Sequence, residues 1–126
     1  MTKETLAYEN IDREFKELYV SDIKKTVVAF ANTEGGILYI GINDAGEVVG
    51  LPNVDDVMQQ TANTLKDSIA PDVMPFVKIR AVTKEGKQII KVAVQNGTSR
   101  PYYIREKGLQ PRGVYIRQGS SNQQLS

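Results

Sequence analysis

From Ile37 to Ile42 every position but Gly41 is apolar. The run is too short for an exposed helix and too apolar for a strand with one wet side, so it predicts a central strand covered on both faces. Upstream, Ile23, Val27, Phe30 and Ala31 recur at spacings of 4, 3 and 1, which is one helical face. That helix runs to about Asn32, with Ser21 as N-cap and Asp22 in the first turn, where its charge suits the dipole. Between helix and strand stand Gly35, which tolerates the positive φ of a sharp helix stop, and Gly36, which allows a close reversal. Before the helix, Arg13–Tyr19 alternates charged and apolar residues and predicts an edge strand. After the central strand, Asn43–Glu47 reads as a hairpin turn and Val48–Leu51 as its short partner strand.

The clearest helical stripe is Val54, Val57, Met58, Thr61, Ala62, Leu65 and Ile69, opened by Asn53 as N-cap and closed by Pro71. Residues 76–82 and 88–94 are β-rich runs joined by a Lys84–Lys87 hairpin turn, the first with one wet face carrying Lys78 and Arg80. Short strands follow at 102–104 and 114–116, and the stretch from Gly119 onward is polar. Residues 1–8 are polar and expected to fray. The order of elements predicts an α+β fold: a mixed, mainly antiparallel sheet with two main helices. One domain is expected over 1–121, with 122–126 a polar tail suited to a linker towards a further C-terminal region.

Composition narrows the chemistry. The 126 residues fit one core, and 40% hydrophobic with 25% charged residues is ordinary for a folded chain. The absence of cysteine removes disulfides, thiol catalysis and thiolate metal sites, and the absence of histidine removes Ser-His-Asp triads and the usual zinc constellations. A metal, if used, would be a hard cation such as Mg²⁺ or Mn²⁺ on oxygen ligands. There is no P-loop motif, no apolar run of roughly 18–20 residues and no secretory pattern at the N-terminus, so no membrane partner and a cytoplasmic location are expected.

Charge is divided along the chain. Residues 1–76 hold 6 Lys and Arg against 13 Asp and Glu, a balance of −7, whereas 77–126 hold 10 against 2, a balance of +8. The split predicts either a bipolar surface with a basic face for an anionic partner, or two halves that interdigitate and cancel. Arg100, Arg105, Lys107, Arg112 and Arg117 interleave with Tyr102, Tyr103 and Tyr115, opposed only by Glu106. Arginines clasp phosphates and tyrosines offer stacking faces, so these residues are candidates for nucleic-acid contact. The alternative is a solvated basic strand face whose tyrosines belong to the core.

A second candidate is acidic. Glu9 and Glu14 sit five apart, and Asp44 lies in the turn after the central strand. An edge strand beside Ile37–Ile42 would bring Glu14 towards Asp44, and converging carboxylates recruit a cation. The turns at Gly35-Gly36 and Asn43–Gly46 are weaker candidates for cradling an anion, because the first sits at the negative end of a helix.

Glu9–Lys16, Ala29–Gly36 with its Phe-Ala-Asn-x-x-Gly-Gly pattern, Gly41–Asp44, Gly46–Gly50, Arg100–Tyr103 and Tyr115–Ser121 together resemble the Schlafen AlbA-like domain. The resemblance implies two precedents. Bacterial and archaeal members form the N-terminal part of transcriptional regulators described as DNA-binding, some of them helicase-related. Animal Schlafens cleave structured RNA with a metal held by two glutamates five apart and an aspartate, which carry over to Glu9, Glu14 and Asp44, with Lys16 as a helper. The first precedent implies a DNA-binding module of a prokaryotic transcriptional regulator, and the second a Mg²⁺- or Mn²⁺-dependent endoribonuclease. Animal members also carry a Cys and His zinc site, which this chain lacks, and use two such lobes as a clamp, so a homodimer would have to supply the second lobe.

Overall fold

The structure, a computed structural model, describes residues 9–125. The expected fraying of residues 1–8 falls outside the described residues. Four strands form the main sheet: β1 (Arg13–Lys16), β2 (Gly36–Ile40), β4 (Val77–Lys84) and β5 (Lys87–Val94), in the order β1-β2-β5-β4. β1 runs parallel to β2, and the other pairs are antiparallel. Helices α1 (Ile23–Asn32) and α2 (Val54–Ser68) complete the main framework. Two small antiparallel pairs follow, β3 (Ile69–Ala70) with β6 (Tyr103–Ile104) and β7 (Tyr115–Gln118) with β8 (Ser121–Gln124). The fold is α+β with a mixed, mainly antiparallel sheet, as the order of elements predicts.

The main core lies between the sheet and the helices. Leu38, Ile40, Ile90 and Val92 meet Ile23, Val27, Phe30, Leu65 and Tyr102 there. A smaller cluster of Phe15, Tyr39, Ile42, Val48 and Ile89 sits on the opposite sheet face, so β2 is covered on both sides. The Ile37–Ile42 strand ends early, at Ile40, because Gly41 turns at φ +110°. The expected partner strand over Val48–Leu51 shrinks to a single bridge between Ile42 and Val48, since the Gly41 carbonyl accepts from both Val49 and Gly50 N–H.

α1 is buried on more than the one expected face. Thr26, Val28 and Ala29 are also buried, because β2, β5, α2 and the β7–β8 hairpin all contact the helix. Its N-cap is Asp22 rather than Ser21. The Val20 and Ser21 carbonyls already accept the Ile23 and Lys24 N–H groups in a tight turn, while the Asp22 carboxylate faces Lys25 at 3.4 Å. At the other end, the Thr33 and Gly35 N–H groups both donate to the Phe30 carbonyl, with Gly35 at φ +78°. A Cβ at Gly35 would lie 2.5 Å from the Val94 carbonyl oxygen, and one at Gly36 would lie 2.6 Å from the Phe30 ring. Gly35→Ala is therefore expected to lower the unfolding free energy by about 2 kcal/mol in denaturant titration, from left-handed strain and a clash with backbone that cannot retreat. A variant within about 0.5 kcal/mol of wild type would show that the turn relaxes freely.

α2 buries Val57, Thr61 and Leu65 as its stripe predicts. It stops at Ser68, one residue short of Ile69, which stays buried but joins β3. The residue before a proline disfavours helical backbone, so Pro71 pushes Ala70 into the extended state and frees both residues to pair with β6. On β4 the wet face expected from alternation holds at Lys78 and Arg80, but beyond them Ala81 is exposed and Val82 packs on the smaller cluster. Residues 122–124, expected in the polar tail, join Ser121 in β8, because an outer hairpin strand needs backbone pairing rather than apolar side chains.

Candidate functional site

A polar cavity of about 440 Å³ opens between β1, the start of α1 and the β7–β8 hairpin. Alternate strand residues share a face, so Glu14 and Lys16 both leave β1 on the side where α1 packs. Glu9 joins them by accepting the Phe15 N–H at 2.8 Å, and Asp44 reaches the rim from the turn after β2. Glu9, Glu14, Lys16 and Asp44 thus line one cavity, beside Lys25 and Asn122.

Glu14 is 6% exposed and fully partnered. Its Oε1 accepts from Arg117 Nη1 at 2.6 Å, its Oε2 accepts from Thr26 Oγ1 at 3.2 Å, and Lys16 Nζ lies 3.5 Å away. Arg117 is 3% exposed and uses all five of its N–H donors. Nε and Nη2 donate to the Asn10 carbonyl, Nη2 also to the Arg13 carbonyl, and Nη1 to Glu14 and Asn122. The guanidinium also lies 5.0 Å from the Phe30 ring centre. Asn122 in turn donates to Thr26 Oγ1, closing the network. Arg117 reaches Asn10, Arg13 and Glu14 across 103 to 107 positions and Asn122 reaches Thr26 across 96, so nothing in the local sequence of Thr26 or Asn122 signals their part in it.

This arrangement does not fit Mg²⁺ or Mn²⁺. Glu14 is neutralised by two cations, and a Glu9 oxygen is committed to backbone. Among the described residues, no three His, Cys, Asp or Glu side chains are placed to hold a metal ion. The carboxylates share a cavity without sharing a point.

The basic and aromatic candidates separate in space. Arg117 has no donor left for a phosphate, which corrects its expected role. Tyr102 is fully buried, with its hydroxyl accepting the Ser99 N–H at 3.1 Å and its ring edge-on to Phe76, so it offers no stacking face. Tyr115 is likewise core, and Tyr103 is half-buried in β6. Arg105 is exposed and donates to the Asp67 and Ile69 carbonyls, where a cation suits the negative end of α2. Lys107 is half-buried and donates to the Tyr115 hydroxyl at 3.0 Å, while Arg100 and Arg112 are exposed. The turns considered as anion cradles are already satisfied: Asn43 Oδ1 accepts the Ala45 and Glu47 N–H groups, and the Gly35 N–H is bonded to Phe30. No helix among the described residues is long and apolar enough to cross a membrane.

The family described as Schlafen, AlbA_2 matches residues 3–126. The solution structure of the N-terminal domain of an ATP-dependent DNA helicase RecG-related protein from Nitrosomonas europaea is 28% identical, with a TM-score of 0.61 over 99% of this chain and 86% of that one. The crystal structure of the DIP2311 protein from Corynebacterium diphtheriae is 20% identical, with a TM-score of 0.63, and shares the fold. That match covers 98% of this chain and 23% of the C. diphtheriae chain. No curated protein matches the chain.

Proposed function

The chain belongs to the Schlafen, AlbA_2 family, and on that footing we propose that it is a nucleic-acid-binding module, serving a prokaryotic transcriptional regulator through contact with DNA. The N. europaea neighbour is named as related to a DNA helicase, which supports a partner of this class. The observation that carries the reading is the cationic surface left by the 100–112 segment. Arg100, Arg105 and Arg112 are exposed, and Lys107 is half-exposed. The one opposing acid, Glu106, is engaged by Lys24 at 3.6 Å. Arg105 and Lys107 donate to neutral carbonyl and hydroxyl oxygens, so their charges are positioned without being cancelled.

Binding of this kind releases counterions, so log K for duplex DNA is expected to fall linearly with log salt. Arg100→Ala and Arg112→Ala should each reduce the slope by about 1 and weaken all sequences alike. Fluorescence anisotropy of labelled duplexes across a salt series reads both quantities. Salt-independent binding, or no binding to DNA or RNA at low salt, would remove the reading.

A further inference from the structure

Strand register gathers a second set of cations that are scattered in sequence. Directly paired residues project from the same face of a sheet. The pairs Arg13 with Ile37, Phe15 with Tyr39, Tyr39 with Lys91, Arg80 with Lys91, Lys78 with Ala93 and Lys84 with Lys87 therefore all lie on one face. It is the face turned away from α1 and α2, since the alternate residues Leu38, Ile40, Ile90 and Val92 enter the main core. Six cations occupy it: Arg13, Lys78, Arg80, Lys84, Lys87 and Lys91. No strand position on this face is acidic; Asp12 and Glu34 line a cavity with Arg13, Ile37, Tyr39 and Ala93 at one end of it, and Glu85 lies in the turn between β4 and β5. Lys78, Arg80 and Lys87 are exposed, and among the described residues none of Lys78, Arg80, Lys84 and Lys91 has an ion-pair partner. The smaller cluster, with Phe15, Tyr39, Ile37, Ile89 and Val82, covers the β1–β2 side and one end of the face, and leaves the β4 side open, where Lys78 and Arg80 are exposed beside a half-buried Lys91.

We infer that this open sheet face is the chain's principal contact surface for nucleic acid, taking the phosphate backbone of the strand it binds. The inference rests on the reading that the chain binds nucleic acid, and adds where the contact lies. Three physical points favour it. Lysines on an edge strand such as β4 often serve only to prevent edge pairing, but Lys87 and Lys91 lie on the interior strand β5. Like charges directly opposite one another, as in Arg80 with Lys91 and Lys84 with Lys87, destabilise a sheet, so the isolated fold gains nothing from this pattern. Alternate strand positions stand about 6.8 Å apart and neighbouring strands about 4.8 Å apart, a grid suited to successive phosphates.

The chemistry also separates nucleic acid from a lipid surface. Membrane attachment needs exposed apolar residues beside the cations, and among the described residues the exposed large apolar side chains, Ile11, Leu18, Val20, Val49, Leu109 and Leu125, hold no strand position on this face. Tyr39, the aromatic nearest its centre, is 7% exposed and offers no stacking platform. The contact is therefore with backbone and independent of base sequence.

The test compares two variants of the whole chain, Lys78→Ala/Arg80→Ala/Lys91→Ala and Arg100→Ala/Arg112→Ala, with Lys66→Ala on α2 as a surface control. Single- and double-stranded oligonucleotides are titrated across a salt series, and circular dichroism checks that each variant is folded. The triple variant is expected to lose roughly 10–100-fold in affinity and about 3 units of salt slope, the double variant about 2 units, and the control about none. A triple variant that binds like wild type while the double variant fails would overturn this inference and leave the proposed function standing. Wild-type protein that binds acidic vesicles or polyglutamate, but neither DNA nor RNA, would overturn both.

Discussion

Arg117→Ala is expected to lower the unfolding free energy by about 3–5 kcal/mol, the largest loss from any single side chain in the cavity region. The cause is the carboxylate left behind. Glu14 is buried against α1, and Arg117 is its closest cation at 2.6 Å, whereas Lys16 sits 3.5 Å away with its side chain one-third exposed. Without the guanidinium, a buried charge keeps one hydroxyl donor and one partly screened ammonium. The Asn10 and Arg13 carbonyls and Asn122 Oδ1 lose their donors as well. Against a total stability of about 5–15 kcal/mol, a loss of that size brings many domains close to unfolding at ambient temperature. Urea titration of Arg117→Ala, Glu14→Leu and the Glu14→Leu/Arg117→Met double variant reads the coupling. The double variant should recover the part of the loss that comes from the unpaired Glu14 carboxylate, because an apolar pair of similar volume leaves no buried charge, but not the part that comes from the undonated Asn10 and Arg13 carbonyls. An Arg117→Ala loss under about 1 kcal/mol would mean that Glu14 is satisfied without Arg117.

That ion pair marks where the sequence stops being informative. Helix, turn and strand from Ile23 to Ile40 are legible because each rests on neighbours in the chain: a helical period, a glycine at positive φ and an unbroken apolar run. The shared cavity of Glu9, Glu14 and Asp44 follows from the parallel neighbours β1 and β2. The role of Arg117 does not, because its partners Asn10, Arg13 and Glu14 lie more than a hundred positions upstream.

Proximity in sequence also misleads in the 100–117 segment. Five cations and three tyrosines within eighteen positions look like one patch. The chain there passes through β6, helical turns at Arg105–Lys107 and Pro111–Gly113, and then β7, so successive side chains take different directions. Tyr102, Tyr115 and Arg117 turn inward, and Arg100 and Arg112 outward. The open sheet face presents the converse case. Its cations run from Arg13 to Lys91 and show no run in sequence, yet register sets them side by side. Half of the ten cations in 77–126 lie on the β4–β5 hairpin, so much of the basic half is segregated on this face rather than interleaved with the acidic half.

Asn32→Ala is expected to cost about 3 kcal/mol, although the residue is uncharged and does not line the Glu9–Glu14–Asp44 cavity. Asn32 ends α1, and its planar amide meets three backbone groups at once. Nδ2 donates to the Tyr102 carbonyl at 2.9 Å and the Tyr115 carbonyl at 3.0 Å, and Oδ1 accepts the Tyr102 N–H at 2.7 Å. One side chain therefore pins the end of a core helix to the start of β7 and to the segment carrying Tyr102, a fully buried ring. Each bond lost leaves a part-buried backbone group unpaired, at about 1 kcal/mol apiece. Asn32→Asp keeps the shape and the Tyr102 N–H bond but sets a negative charge against two carbonyl oxygens, so it should fare no better than alanine. Asn32→Gln, with one methylene more, cannot place both amide ends without moving α1 or the Tyr102 segment. Denaturant unfolding gives the magnitude, and amide hydrogen exchange gives the location. Protection of the Tyr102 N–H should collapse in Asn32→Ala and persist in Asn32→Asp, while amides in the middle of α1 fall only as far as global stability falls. An alanine variant within about 0.5 kcal/mol of wild type, with Tyr102 still protected, would show that water replaces the amide and that the C-terminal strands are held by their apolar contacts alone.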